Sequence, residues 1–292
     1  MRAVSLHPDV IVVTSALLQV NCVIVRGAFA AEVEDDGPER AGSVEGVGGD
    51  AAGGDAAGET FVIDSPVLPD ELDALPSLLE QAQFPAPSGL LATHGDWDHL
   101  LGRLAFPDAA LGCAESTVER LRASPGEAQR ELRAFDEELM IERSRPLALG
   151  SVQGLAVPGR CEIGSHELEL HPAGGHTVDG MAVWISWARV LVVGDYLSSV
   201  EIPALSDGGD PDAYLATLGH LRGFLTHAEH VVPGHGPILA GDRALATLEE
   251  DVAYVRALQT SGADAELPSG RRAAANRGVH LRKITVARDR CS

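Results

Sequence analysis

The chain contains the segment Leu90-Leu91-Ala92-Thr93-His94-Gly95-Asp96-Trp97-Asp98-His99. An apolar run of strand character ends directly in four potential metal ligands: His94, Asp96, Asp98 and His99. A strand with such an ending aims imidazoles and carboxylates at one point, the arrangement that collects a divalent ion. Three further signals follow in order: Gly174-Gly175-His176-Thr177, Val192-Val193-Gly194-Asp195 and Pro233-Gly234-His235-Gly236. Taken singly, each reads as a turn or a helix cap. Ligands on loops at strand ends must converge from distant sequence, so the ordered series carries the signal. Glycines beside His176 and His235 suit sharp backbone turns that bring a ligand to its metal.

Together these parts resemble the metallo-β-lactamase fold family, including its glyoxalase II-like and lactonase-like members. The family signature is His-x-His-x-Asp-His, then a His, an Asp and a His at about this spacing; the match spans residues 10–255. The resemblance implies an α+β fold, an αββα sandwich of two mixed β-sheets flanked by helices. It also implies a ligand set. One divalent ion would be held by His94, the residue at 96 and His176, and a second by Asp98, His99 and His235, with Asp195 bridging both. Zinc, manganese and iron are the candidate metals. Asp98 would orient the attacking water and relay its proton. Tyr196, next to Asp195, is placed either to hydrogen-bond a substrate oxygen or to pack in the core. Asp64 matches the family's structural acid near the site, and Trp97 reads as packing beneath the motif loop.

Asp96 departs from the signature, which has histidine there. A carboxylate adds a negative charge and a hard oxygen donor, which favours Mn²⁺ and Fe²⁺ relative to Zn²⁺. The extra charge predicts a higher pKa for the activated water and an alkaline activity optimum. Asp is also shorter than His. The alternative is that position 96 is a lost ligand and the centre holds one ion.

Around the motif, β-branched runs at 9–15, 19–26 and 60–64 predict strands, as do 167–170, 181–186, 190–193 and 230–232. Leu72, Leu75, Leu78 and Leu79 recur at helical spacing within a helix at 69–83. Further helices are expected at 114–122, 126–142, 211–222 and 240–259. Residues 27–59, rich in Ala, Gly, Asp and Glu, have almost nothing to bury and read as a low-complexity loop insertion. Residues 1–260 read as one domain, with 114–150 a helical cap over the metals and 261–292 a basic, flexible tail.

Composition narrows the function classes. A net charge of −21 opposes a nucleic-acid or anionic-membrane partner. No run of about 18 apolar residues suggests a membrane span. The start lacks the pattern of a secretory signal, and the four scattered cysteines form no Cys-x-x-Cys pair, so a reduced cytoplasmic protein is expected. The leading function is hydrolysis of an ester-type bond (thioester, lactone or similar) in a small molecule. A competing class is mononuclear iron oxygenation of the persulfide dioxygenase kind, with His94, His176 and Asp195 as the facial triad. A nuclease is disfavoured by the short gap between Asp195 and His235.

Overall fold

The computed structural model describes residues 1–28, 58–205, 208–273 and 276. Seven strands form the first sheet in chain order: β1 (Arg2–His7), β2 (Val10–Thr14), β3 (Asn21–Gly27), β4 (Glu59–Ile63), β5 (Gly89–Leu91), β6 (Ala110–Ala114) and β7 (Val152–Leu155). Its first half is an antiparallel meander, and its pairings from β4 to β7 are parallel. The second sheet contains β8 (Gly159–Ile163), β9 (His166–Pro172), β10 (Met181–Ile185), β11 (Val190–Val192), β12 (His230–Val232) and β13 (Leu239–Ala240). There, β11 and β12 are the parallel pair.

Neighbouring apolar residues point to opposite faces of a strand, so continuous apolar runs serve a sheet buried on both sides. Val12, Val23, Ile63 and Leu91 face the second sheet, where they meet Leu168, Met181, Val183, Val192 and Val232. Their neighbours Val13, Ile24, Val62 and Leu90 face outward. They are covered by α1 (Pro69–Gln81) through Leu72, Leu75 and Leu79, and by α3 (Glu115–Ala123) and α4 (Glu127–Leu139) through Val118 and Leu132. The short α2 (Gly102–Ala105) adds Leu104 to this cluster. On the other side, Ala182, Leu191 and Val231 meet α5 (Pro211–Leu225) and α6 (Gly241–Ser261) through Leu218, Leu221 and Leu248. The four layers are helices, sheet, sheet, helices. Each fully buried Val or Leu in them stabilises the fold by about 1.5–3 kcal/mol relative to exposure.

The α+β sandwich expected from the sequence is the architecture observed. Strands β1, β6, β7, β8 and β13 add to those the sequence predicts. They are short or half-exposed, so their apolar alternation is weak. Two helices stop earlier than the expected 69–83 and 126–142. Gln83, just beyond α1, and Met140, the residue that closes α4, take positive φ of 58° and 55°.

Residues 29–57, the bulk of the low-complexity insertion, lie outside the described residues; Gly27 and Glu59 on either side pair directly across β3 and β4. The basic tail reading needs correction at Arg271. This residue is 2% exposed and donates to Ser198 O and Glu201 O at 3.0 Å each and to Asp251 Oδ1 at 2.5 Å. Asn276 Nδ2 donates to Val200 O, so this part of the chain fastens the 198–201 loop. Among the described residues, no helix is long and apolar enough to cross a membrane.

Candidate metal centre

The ligand-bearing loops leave from strand ends. The end of β5 delivers 93–99, β11 delivers Gly194-Asp195, and β12 delivers 233–236. The turn between β9 and β10 delivers His176. Two glycines make the convergence possible. Gly175 has φ +119°, and a Cβ there would collide with the Tyr214 backbone at the start of α5. At Gly234 the need is space rather than a turn: a Cβ would strike Asp195 Oδ1.

All seven residues named from the sequence as ligands come together, and they sort into two halves. In the first, Asp195 Oδ2 lies 3.2 Å from His176 Nε2 and 3.7 Å from His94 Nε2. Asp96 Oδ2 lies 3.4 and 3.5 Å from the same two nitrogens. In the second, Asp195 Oδ1 lies 3.2 Å from His99 Nε2 and 3.4 Å from His235 Nε2. Asp98 Oδ2 is 3.4 Å from His235 Nε2 and 3.9 Å from His99 Nε2. Asp195 thus turns one carboxylate oxygen to each half.

Three of the four imidazoles are held from behind by a hydrogen bond through Nδ1, and the fourth, His99, has a carboxylate behind it. His176 Nδ1 donates to Ala204 O at 2.7 Å and His235 Nδ1 to Leu18 O at 2.9 Å, since a carbonyl only accepts. Thr93 Oγ1 gives its proton to Asp64 Oδ2 and therefore accepts from His94 Nδ1 at 3.1 Å. His99 Nδ1 faces Asp64 Oδ2 at 3.0 Å. With Nδ1 turned outward, Nε2 is the nitrogen each ring turns to the centre, the orientation that outer partners impose on ligating histidines. Asp64 itself sits at φ +57° and also accepts from Thr93 N, so it organises the motif loop as expected of a structural acid.

The donor chemistry fits divalent ions. Nε2 of His94 and of His99 and Oδ1 of Asp195 are buried without a hydrogen-bond partner, an arrangement that is costly unless a cation completes it. Two groups, His94–His176–Asp195 and Asp98–His99–His235, each bring their ligand atoms within 4.8 Å of one another. The electrostatics agree. Burial alone lowers the pKa of His176, but contacts with Asp195 and Asp96 push it up to about 10. His235 likewise rises to about 10 against its burial, through Asp195 and Asp98. Asp195 is held well below the usual carboxylate range, its burial outweighed by the surrounding imidazoles. The carboxylates at this centre demand positive charge.

Tyr196 does not occupy the substrate-facing position suggested for it. Its hydroxyl is spent on backbone, donating to Gly174 O at 2.7 Å and accepting from His176 N at 3.0 Å, and the side chain is 2% exposed against Tyr214. It ties down the His176 loop. Trp97 packs on Phe135 of α4 with ring centroids 4.5 Å apart.

Two residues escape the sequence reading. Asn21 on β3 is buried and donates from Nδ2 to both Pro233 O and Gly236 O at 2.8 Å, bracketing His235. A lone amide inside Val20-Asn21-Cys22-Val23 is the available signal. Arg120 on α3 places Nη2 2.7 Å from Asp96 Oδ1 and Nη1 3.0 Å from Asp179 Oδ1. This corrects the charge arithmetic drawn from the sequence, because the negative charge that Asp96 adds meets a guanidinium. Nothing local distinguishes Arg120 from Arg122; only the anomaly at 96 hints that a cation is required.

The family model described as the metallo-beta-lactamase superfamily matches residues 56–235. Solved structures agree on the fold. A metallo-beta-lactamase family protein from Thermus thermophilus aligns with a TM-score of 0.61 at 18% identity, covering 88% of this chain and 82% of its own. A metallo-beta-lactamase from Pontibacter korlensis aligns with a TM-score of 0.55 at 15% identity, covering 85% and 97%. BLEG-1, a B3 metallo-beta-lactamase, gives 0.54 at 19% identity over 80% and 95%. No curated protein sequence matches significantly.

Proposed function

The chain belongs to the metallo-β-lactamase superfamily, whose members are metallo-hydrolases, and from that premise we propose a two-ion hydrolase of an ester-type bond, thioester, lactone or similar, in a small molecule. The observation that carries this reading is the division of Asp195 between two converged ligand groups, one carboxylate oxygen to each. His94, Asp96 and His176 would hold one ion and Asp98, His99 and His235 the other. Divalent ions bound there supply Lewis acidity and activate a water at neutral pH.

The remaining work falls to the chain. Asp98, 12% exposed at its side chain, turns Oδ2 to His235 and would orient the attacking water and take its proton. Asp64 and Thr93 keep His99 and His94 in the productive tautomer. Residues 114–150 shape the entrance, since α4 leans on the motif loop through Phe135 and Trp97. The acidic surroundings, with Glu201 3.8 Å from His235 Nδ1 and a net charge of −21, disfavour polyanionic substrates such as nucleic acid. The mononuclear oxygenase reading uses His94, His176 and Asp195 alone. The equally converged second group favours two ions over it.

The test is metal analysis of the purified protein together with a panel of thioesters, lactones, phosphodiesters and persulfides. Two ions per chain with hydrolysis of an ester-type substrate are expected. One iron per chain with oxygen consumption would replace this reading with the oxygenase.

A further inference from the structure

Asp96 is the position at which this chain departs from its family's ligand signature, and the structure shows what accompanies the change. Arg120 lies across two carboxylates. One Nη reaches Asp96 Oδ1 at 2.7 Å, the other Asp179 Oδ1 at 3.0 Å. Asp179 has a fully buried side chain, and its Oδ2 accepts from Gly95 N at 2.9 Å. The guanidinium is therefore fixed to the motif loop from two directions. A planar fork can span two carboxylates in this way, whereas a lysine ammonium acts as a point charge. With Oδ1 taken by Arg120, Asp96 presents only Oδ2 to His94 and His176, 3.5 and 3.4 Å from their Nε2 atoms. Those spacings fall within the 3.4 to 3.9 Å that separate Asp98 Oδ2 from the His235 and His99 Nε2 atoms in the other half. The shorter side chain reaches its place.

We propose that Asp96 and Arg120 form one functional unit, in which the guanidinium offsets the carboxylate's charge and restricts it to a single donor oxygen. The pair then offers the first half of the centre something closer to a neutral imidazole than a lone carboxylate would be: one donor atom, its charge offset by a guanidinium that Asp179 shares. Arg120 is the positioning residue of this unit and sets how the first half selects its ion. The inference rests on the two-ion reading above. It changes an expectation drawn from the sequence, because histidine at 96 alone no longer restores a family-like site. It would set an imidazole against a guanidinium that has lost one of its two partners and keeps only Asp179, beside the ion.

A double-mutant cycle decides this. The full-length chain is stripped with chelator and titrated calorimetrically with Zn²⁺, then with Co²⁺ to read the ligand field by visible absorption. Asp96→His and the isosteric Asp96→Asn should each weaken binding of one of the two ions by about tenfold or more. Adding Arg120→Gln to either should recover most of that loss and the cobalt spectrum, because the cation that Asp96 no longer offsets is gone from beside the ion. Strong coupling between 96 and 120 is the expected result. If Asp96→His misfolds, the Asp96→Asn cycle carries the same test. Additive losses, or tighter zinc binding by Asp96→His with Arg120 intact, in a protein that takes two ions would overturn this inference alone. A wild-type chain that takes fewer than two ions would overturn the two-ion reading and this inference with it.

Discussion

The two halves of the centre have matching donors and unlike surroundings. Each offers two imidazoles, one aspartate and one oxygen of Asp195. Behind the first half stand neutral acceptors, Thr93 and the Ala204 carbonyl, and the Arg120 guanidinium shared by Asp96 and Asp179. Behind the second stand Asp64 at 3.0 Å from His99 and Glu201 at 3.8 Å from His235, with no cation among the described ion pairs there. Two carboxylates and a guanidinium surround one half, three carboxylates the other. Negative charges accumulated near a cation site raise its affinity, and a fixed cation lowers it. The second half should therefore bind its ion more tightly, although the ligands are the same in kind.

The largest effect should come from the residue common to both halves. Asp195→Asn should release both ions and reduce hydrolysis by more than about a hundredfold, since even outer partners of metal ligands cost 10–100-fold. Next in size is the contrast between the two aspartates. Asp98→Asn strips the tighter half and should cost more activity than Asp96→Asn, by about tenfold. Equal losses would mean that the surroundings do not rank the halves.

Acid and base should act on both halves alike. His176 and His235, one from each, have pKa values raised to about 10, against about 6.5 in an unfolded chain. In chelator-treated protein their contribution to stability is complete below about pH 6.5 and lost as pH rises through about 10. Thermal melting should show the metal-free protein weakening over that window. The loaded protein should gain relative to it, because ions and protons compete for Nε2. A flat difference across the window would contradict the protonation assigned to the imidazoles. The smallest effect belongs to Tyr196→Phe. It loses two hydrogen bonds to the His176 loop and should cost about 1–3 kcal/mol of stability while hydrolysis of the folded protein persists. Abolished turnover at unchanged stability would return Tyr196 to the chemistry.

The sequence makes legible those parts where one residue type has one physical use. Continuous apolar runs such as Val190-Leu191-Val192 specify strands buried on both faces, and a strand end carrying His94, Asp98 and His99 points to a centre. Edge strands such as β1 and β8 are not legible, because a half-exposed strand mixes polar and apolar residues without clear alternation. Arg120 and Arg271 look like any surface arginine on a helix or in a basic tail. Their roles come from carboxylates brought to them by distant chain: Asp96 and Asp179 for one, Glu250 and Asp251 for the other. Tyr196 is adjacent to the right residue, but only the fold shows that its hydroxyl points back to Gly174.

Two chemically matched halves made unequal by charge can be told apart by titrating chelator-treated protein with Zn²⁺ and following heat and bound metal together. Two ions per chain should be taken up in two separate steps. The first step should be abolished by Asp98→Asn and preserved in Asp96→Asn. A single ion per chain, or two taken up in one indistinguishable step, would contradict the account.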